Sequence, residues 1–258
     1  MRNKKAKLSP ISSFHYIRLF CRSLLFLCAA AMYILNRVRK TEGFLPNFKN
    51  AVWILAVIWV AYAVEMALRF FPAKLESMGC QKQFARNFKP TETGEKPKLT
   101  SPGRVWAVVA AWAALNSCIG ALYFAKVIDR DVLVLVSLAY GVCDMICILF
   151  FCPFQEWFLK NRCCTVCRIY NWDFAMMFTP YIFIPSVYTW TLLAMSLAIL
   201  IRWELTAHFR PERFAEETNA CLSCANCEEK LCHHKRRLRT FWQKDRSRFF
   251  PSIKGDRK

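Results

Sequence analysis

Apolar residues fall in separated blocks near residues 19–35, 51–71, 105–125, 132–151 and 178–201, with Lys, Arg, Pro and polar residues between them. About 20 residues at roughly 1.5 Å rise cross a hydrocarbon core of about 30 Å, so each block predicts a membrane-spanning helix. In lipid every backbone N–H and C=O must be paired within its own element, which favours helices. Seven glycines and the lack of short alternating segments argue against a β-barrel. The predicted fold class is all-α: a polytopic integral membrane bundle of about five transmembrane helices with a Cys-rich C-terminal tail. The boundaries are a basic segment 1–18, a transmembrane domain 19–202, a Cys-rich segment 203–234 and a basic aromatic tail 235–258.

The first block holds Arg22 just before its apolar run 24–35 and lacks a small-x-small cleavage site, so it reads as an uncleaved span. Glu65 and Arg69 lie four apart near the end of the second block and are expected to neutralise each other. Residues 72–104 form the longest internal connection, with a Pro-, Gly- and Thr-rich second half that predicts a solvated linker. Only a tight hairpin fits residues 126–131, which makes the third and fourth spans antiparallel. Asp144 lies mid-span beside Cys143 and before Cys147; an intramembrane carboxyl group is a functional candidate, with Asn116 its expected partner. The stretch 154–177 reads as an amphipathic connector along the membrane surface, and Pro180 and Pro185 predict an irregular start to the fifth span.

Charge adds direction. The chain carries 37 Lys and Arg against 18 Asp and Glu, a formal +19, and the basic residues cluster in termini and loops. In a membrane protein such flanks face the cytoplasm or anionic headgroups, and no nucleic-acid partner is implied. The tail beyond Cys232 interleaves Lys and Arg with Phe241, Trp242, Phe249 and Phe250, which suits binding to anionic lipid headgroups. A cell-membrane, multi-pass protein with a cytoplasmic C-terminus follows. Five spans then place the basic N-terminus outside, a conflict removed if the first block does not cross.

The cysteines supply the candidate chemistry. Cys221, Cys224, Cys227 and Cys232, followed by His233, lie close enough to wrap one soft cation. The spacing resembles the bacterial ferredoxin run C-x2-C-x2-C-x3-C-P, with four residues before the last Cys and no proline after it. An iron–sulfur cluster or zinc is the implied cofactor, and the implied function is a redox or metal-dependent accessory component. In the redox version, Asp144 handles a coupled proton.

The alternative is a thiol–disulfide oxidoreductase. Cys164 and Cys167 form a C-x-x-C pair in which one thiolate attacks and its neighbour resolves. Arg162 and Arg168 flank the pair and are expected to favour the thiolate. The pair is broadly similar to those of membrane disulfide-generating proteins, which implies a membrane redox partner or quinone. Because one apolar block separates the two clusters, they are expected on opposite faces of the bilayer. Cys21, Cys28, Cys80, Cys118, Cys143 and Cys147 read as packing residues. A third class, a small-solute transporter or channel built on Asp144 and Asn116, lacks the expected repeat symmetry. No P-loop, G-x-S-x-G, H-E-x-x-H or G-x-G-x-x-G is present.

Overall fold

The computed structural model describes residues 10–39, 52–72, 78–91, 96–161 and 163–223. Its helices are α1 Pro10–Val38, α2 Val52–Leu68, α3 Met78–Gln83, α4 Pro102–Phe124, α5 Arg130–Leu149, α6 Asp173–Phe178 and α7 Val187–Phe209. There are no strands among the described residues, only an isolated bridge between Pro90 and Asn219. The all-α expectation therefore holds. Four helices, α1, α4, α5 and α7, are long and apolar enough to cross a membrane, and α2 is apolar but only 17 residues long.

Pairings between helix ends fix the direction of each element. Tyr16 meets Phe150, and Tyr33 Oη donates to Asp129, so α1 runs antiparallel to α5. Trp59 Nε1 donates to Thr191 and Arg202 donates to the Phe70 carbonyl, so α2 and α7 run parallel. Arg104, at the start of α4, donates to the Leu159 carbonyl, while Gly120 further along faces Phe183.

Residues 168–186 run back through the bundle as a pass of their own. Arg168 and Trp172 pair with Glu204 near the C-terminal end of α7, and the Ile184 carbonyl accepts from Thr189 near its start. The pass is broken: α6 gives way to a 3₁₀ turn at Thr179–Phe183, with Pro180 in its first turn. Pro180 lacks an N–H to continue the ladder, and neighbouring helices cover the irregular backbone. Phe174, Met177, Phe178 and Tyr181 from this pass are buried among α2, α5 and α7.

These directions correct three sequence expectations. The first span is not confined to 19–35; it extends back to Pro10 and carries Arg18 and Arg22 into the bundle. Residues 173–177 do not lie along a surface, because α6 plunges into the core, whereas Trp157 in the earlier part of the connector is exposed. Cys221, the described member of the second cluster, does not sit on the opposite face from the C-x-x-C turn. The turn Cys164–Val166 and the turn Ala220–Leu222 both pack against α3, because the broken pass carries the chain across before α7 returns it. The irregularity predicted from Pro180 and Pro185 is present, but it belongs to this extra pass, and α7 begins only at Val187. The hairpin between α4 and α5 is as expected, with Asp129 capping α5 by accepting from the Val132 N–H at 3.0 Å.

Candidate functional site

Where α5 ends and the broken pass begins, side chains enclose a cavity of about 120 Å³. Helix α5 contributes Tyr140, Cys143, Asp144 and Cys147, the following loop contributes Cys152, Phe154 and Gln155, and the C-x-x-C turn contributes Cys164 and Cys167. Asp173, Met176 and Met177 of α6 and Trp112 of α4 complete it. Five thiols thus line one space that is otherwise mostly aromatic and aliphatic.

Local structure explains the grouping. Residues 143 and 147 are one helical turn apart and share a face of α5. That helix stops at Leu149, and Pro153 opens a π-helical turn, Phe154–Leu159, that folds the chain back. Cys152 is thereby returned to Cys147, whose thiol hydrogen-bonds to it. Cys164 and Cys167 are held together by the Cys167 N–H donating to the Cys164 carbonyl at 3.1 Å. The Cys164 thiol donates to Gln155 Oε1 at 3.2 Å, and Gln155 Nε2 is fixed on the Asn161 carbonyl at 2.9 Å.

The two members of the C-x-x-C pair differ. Cys164 is partly accessible, whereas Cys167 is buried, and burial pushes its thiol up to about 12. The expected activation of this thiol by Arg168 is not seen. That guanidinium is engaged by Glu204 through two 2.6 Å contacts. Arg162 lies outside the described residues.

Beside the cavity lies a charged network inside the bundle. Arg22 donates to Asp144 at 3.1 Å, to Glu65 at 2.9 Å and to the Gly141 carbonyl at 3.1 Å. Arg18 also holds Glu65, at 3.0 Å. Arg69 is 2% exposed and pairs with Asp173 at 2.5 Å, while Asn171 bridges Arg69 to Gln83. Three guanidinium groups therefore face three carboxylates. Glu65 and Arg69 do not pair with each other as the sequence predicts; each is claimed by a different helix. Asn116 is not the partner of Asp144 either, since its amide donates to the Trp112 carbonyl. A charge in this setting is tolerable only when paired.

Of the expected metal ligands only Cys221 is among the described residues, and Cys224, Cys227, Cys232 and His233 lie outside them. Cys221 Sγ donates to the Asn87 carbonyl at 3.1 Å, and its N–H donates to Asn219, a fully buried side chain that also holds Lys82 and Arg213. Among the described residues no group of three or more His, Cys, Asp or Glu is placed to hold a metal ion.

No family model, curated protein or solved structure matches this chain. The site therefore stands on its own geometry. Sequence reasoning found Cys164, Cys167 and Asp144, which the fold brings to one cavity. It missed Cys143 and Cys147, although their helical spacing around Asp144 was a usable signal. Gln155 and Asp173 carried no comparable signal, because a long-range fold brings them in.

Proposed function

We propose that the chain is a multi-span membrane thiol–disulfide oxidoreductase. The observation that carries this reading is the convergence of two thiol pairs, Cys164 with Cys167 and Cys147 with Cys152, on one cavity. A substrate thiolate attacks Cys164 of the Cys164–Cys167 disulfide, displacing Cys167, which takes up a proton; a second substrate thiol attacks the substrate sulfur of the mixed disulfide and releases Cys164, leaving a substrate disulfide. Two electrons and two protons pass from the substrate to the protein. Cys164, the more accessible of its pair, then attacks a Cys147–Cys152 disulfide, and Cys167 resolves the resulting mixed disulfide, which restores the Cys164–Cys167 disulfide and leaves Cys147 and Cys152 as thiols. The cavity is lined by Trp112, Tyr140 and Phe154, and Cys143 is exposed on α5. A lipid-soluble quinone suits that setting as the acceptor that reoxidises Cys147 and Cys152, gaining the two electrons and two protons as they close a disulfide.

The same geometry supports six crossings, α1, α2, α4, α5, the broken pass and α7, with the start of α1 and the turn Ala220–Leu222 on one side. Of the 37 Lys and Arg, 27 belong to segments that leave the bundle at the thiol end and 6 to segments at the other. Such asymmetry favours a cytoplasmic thiol end, and the conflict over the N-terminus disappears.

The test of the oxidoreductase reading uses full-length Cys167→Ser protein treated with glutathione disulfide. A stable glutathione adduct on Cys164 is expected by mass spectrometry, whereas the unmodified chain goes on to an internal disulfide. Adducts spread over Cys21, Cys28 and Cys118 with Cys164 unmodified would contradict it.

A second reading keeps the C-terminal motif as a metal site. It is favoured by the packing of Ala220–Leu222 on the same helix as the Cys164 turn. An iron–sulfur cluster or zinc held by Cys221, Cys224, Cys227, Cys232 or His233 would then sit at the thiol end and serve as its electron or structural partner. Metal and acid-labile sulfide analysis of protein purified without oxygen decides between the two metals.

A further inference from the structure

A second pocket, of about 280 Å³, opens at the thiol end between the start of α4, residues 159–168 and residues 214–217. Its wall is divided by charge. Lys98, Arg104 and Lys160 line it together with Glu216 and Glu217. Arg104 spends one nitrogen on the Leu159 carbonyl at 3.3 Å, leaving other donors on its guanidinium. Arg168 also lines the pocket but is held by Glu204. Ser101 precedes α4 without a side-chain capping bond, and the helix start adds partial positive charge on the basic side.

The depth of this pocket is marked by tryptophans. Trp106 in the first turns of α4 is 68% exposed, and Trp157 is 69% exposed. Exposed Trp at the end of an apolar helix is characteristic of the headgroup belt. Further along α4, Leu115, Leu122 and Phe124 are exposed, as on a lipid-facing surface. A pocket with cationic and anionic walls at that depth is matched by a ligand carrying a phosphate and an ammonium a few bonds apart.

We propose that this pocket binds the headgroup of a zwitterionic phospholipid of the phosphoethanolamine class, with the phosphate on Lys98, Arg104 and Lys160 and the ammonium on Glu216 and Glu217. A primary ammonium donates three hydrogen bonds to the carboxylates, which a trimethylated choline cannot do. An anionic glycerol headgroup would satisfy only the basic wall. Bound there, the lipid would tie α4, the Cys164–Cys167 loop and the segment leading to Cys221 together.

The experiment is lipid retention by the full chain in detergent, read by native mass spectrometry. The probes are phosphatidylethanolamine, phosphatidylcholine, phosphatidylglycerol and water-soluble phosphoethanolamine. Preferential retention of phosphatidylethanolamine is expected. The double variant Lys98→Gln, Lys160→Gln should weaken it about tenfold, and Glu216→Gln with Glu217→Gln should erase the preference over phosphatidylglycerol. As a second measurement on the unmodified chain, phosphatidylethanolamine should raise the thermal midpoint more than phosphatidylcholine does. Equal retention of all three lipids, or retention indifferent to both double variants, would overturn the proposal. Displacement of the lipid by phosphoethanolamine at comparable concentration would overturn the membrane-borne source in favour of a soluble ligand.

Discussion

Arg22→Leu protein is expected to lose about 3–5 kcal/mol of stability, the cost of leaving a buried charge without its partner. Arg22 donates to Asp144, Glu65 and the Gly141 carbonyl at once. Glu65 keeps Arg18 when Arg22 is removed, but Asp144 loses its ion pair in a water-poor part of the bundle. Adding Asp144→Asn to the same chain removes the stranded charge and should recover more than half of the loss. Asp144→Asn alone should cost less, since Arg22 retains Glu65. Thermal midpoints of the three variants in one detergent check the order. Equal destabilisation by the single and double variants would mean that the charge at Asp144 contributes little.

The second large effect concerns thiol reactivity. At pH 7–8 Cys164 should be alkylated by iodoacetamide and Cys167 should resist. A thiol pushed up to about 12 carries a thiolate fraction on the order of a thousandfold below that of an ordinary thiol near 9, at tenfold for each pH unit. The sign is fixed by burial, which disfavours the charged thiolate, so Cys167 stays neutral through the physiological range and becomes reactive only as pH rises towards 12. This suits a resolving thiol that is exposed to attack chemistry only after Cys164 has formed a mixed disulfide. Peptide mapping after timed alkylation reads the two rates separately. Similar rates for both cysteines at pH 7.5 would remove the assigned division of roles.

What the sequence made legible was set by local physics. Long apolar runs specify helices in lipid without reference to the rest of the chain, and so α4 and α5 were found close to where they lie, whereas α7 starts at Val187 and not at the expected residue 178. The tight turn before α5 was equally local, because Asp129 caps the helix it precedes. Arg18 and Arg22 hid the true length of α1. The expected block begins at residue 19, which leaves Arg18 out and keeps Arg22 near its edge, and their acceptors lie on α2 and α5, 43 to 122 residues away.

The broken pass was missed for a related reason. Residues 168–186 contain Asp173, Asn171, Pro180 and Pro185, which read as surface or connector until Arg69 and Gln83 are seen to satisfy the polar groups. That one omission placed the cysteine segments on opposite faces. Restoring it puts Cys164, Cys167 and Cys221 at the same end and underlies the proposal of six crossings in place of five.

The most direct measurement is accessibility of Cys163 and Cys221, each kept as the sole reporter cysteine, to a membrane-impermeant maleimide in sealed vesicles of both orientations. Labelling of both from the same face, the face that also exposes an N-terminal tag, is the expected result. Labelling of Cys163 and Cys221 from opposite faces would contradict the six-crossing arrangement and with it the shared thiol end.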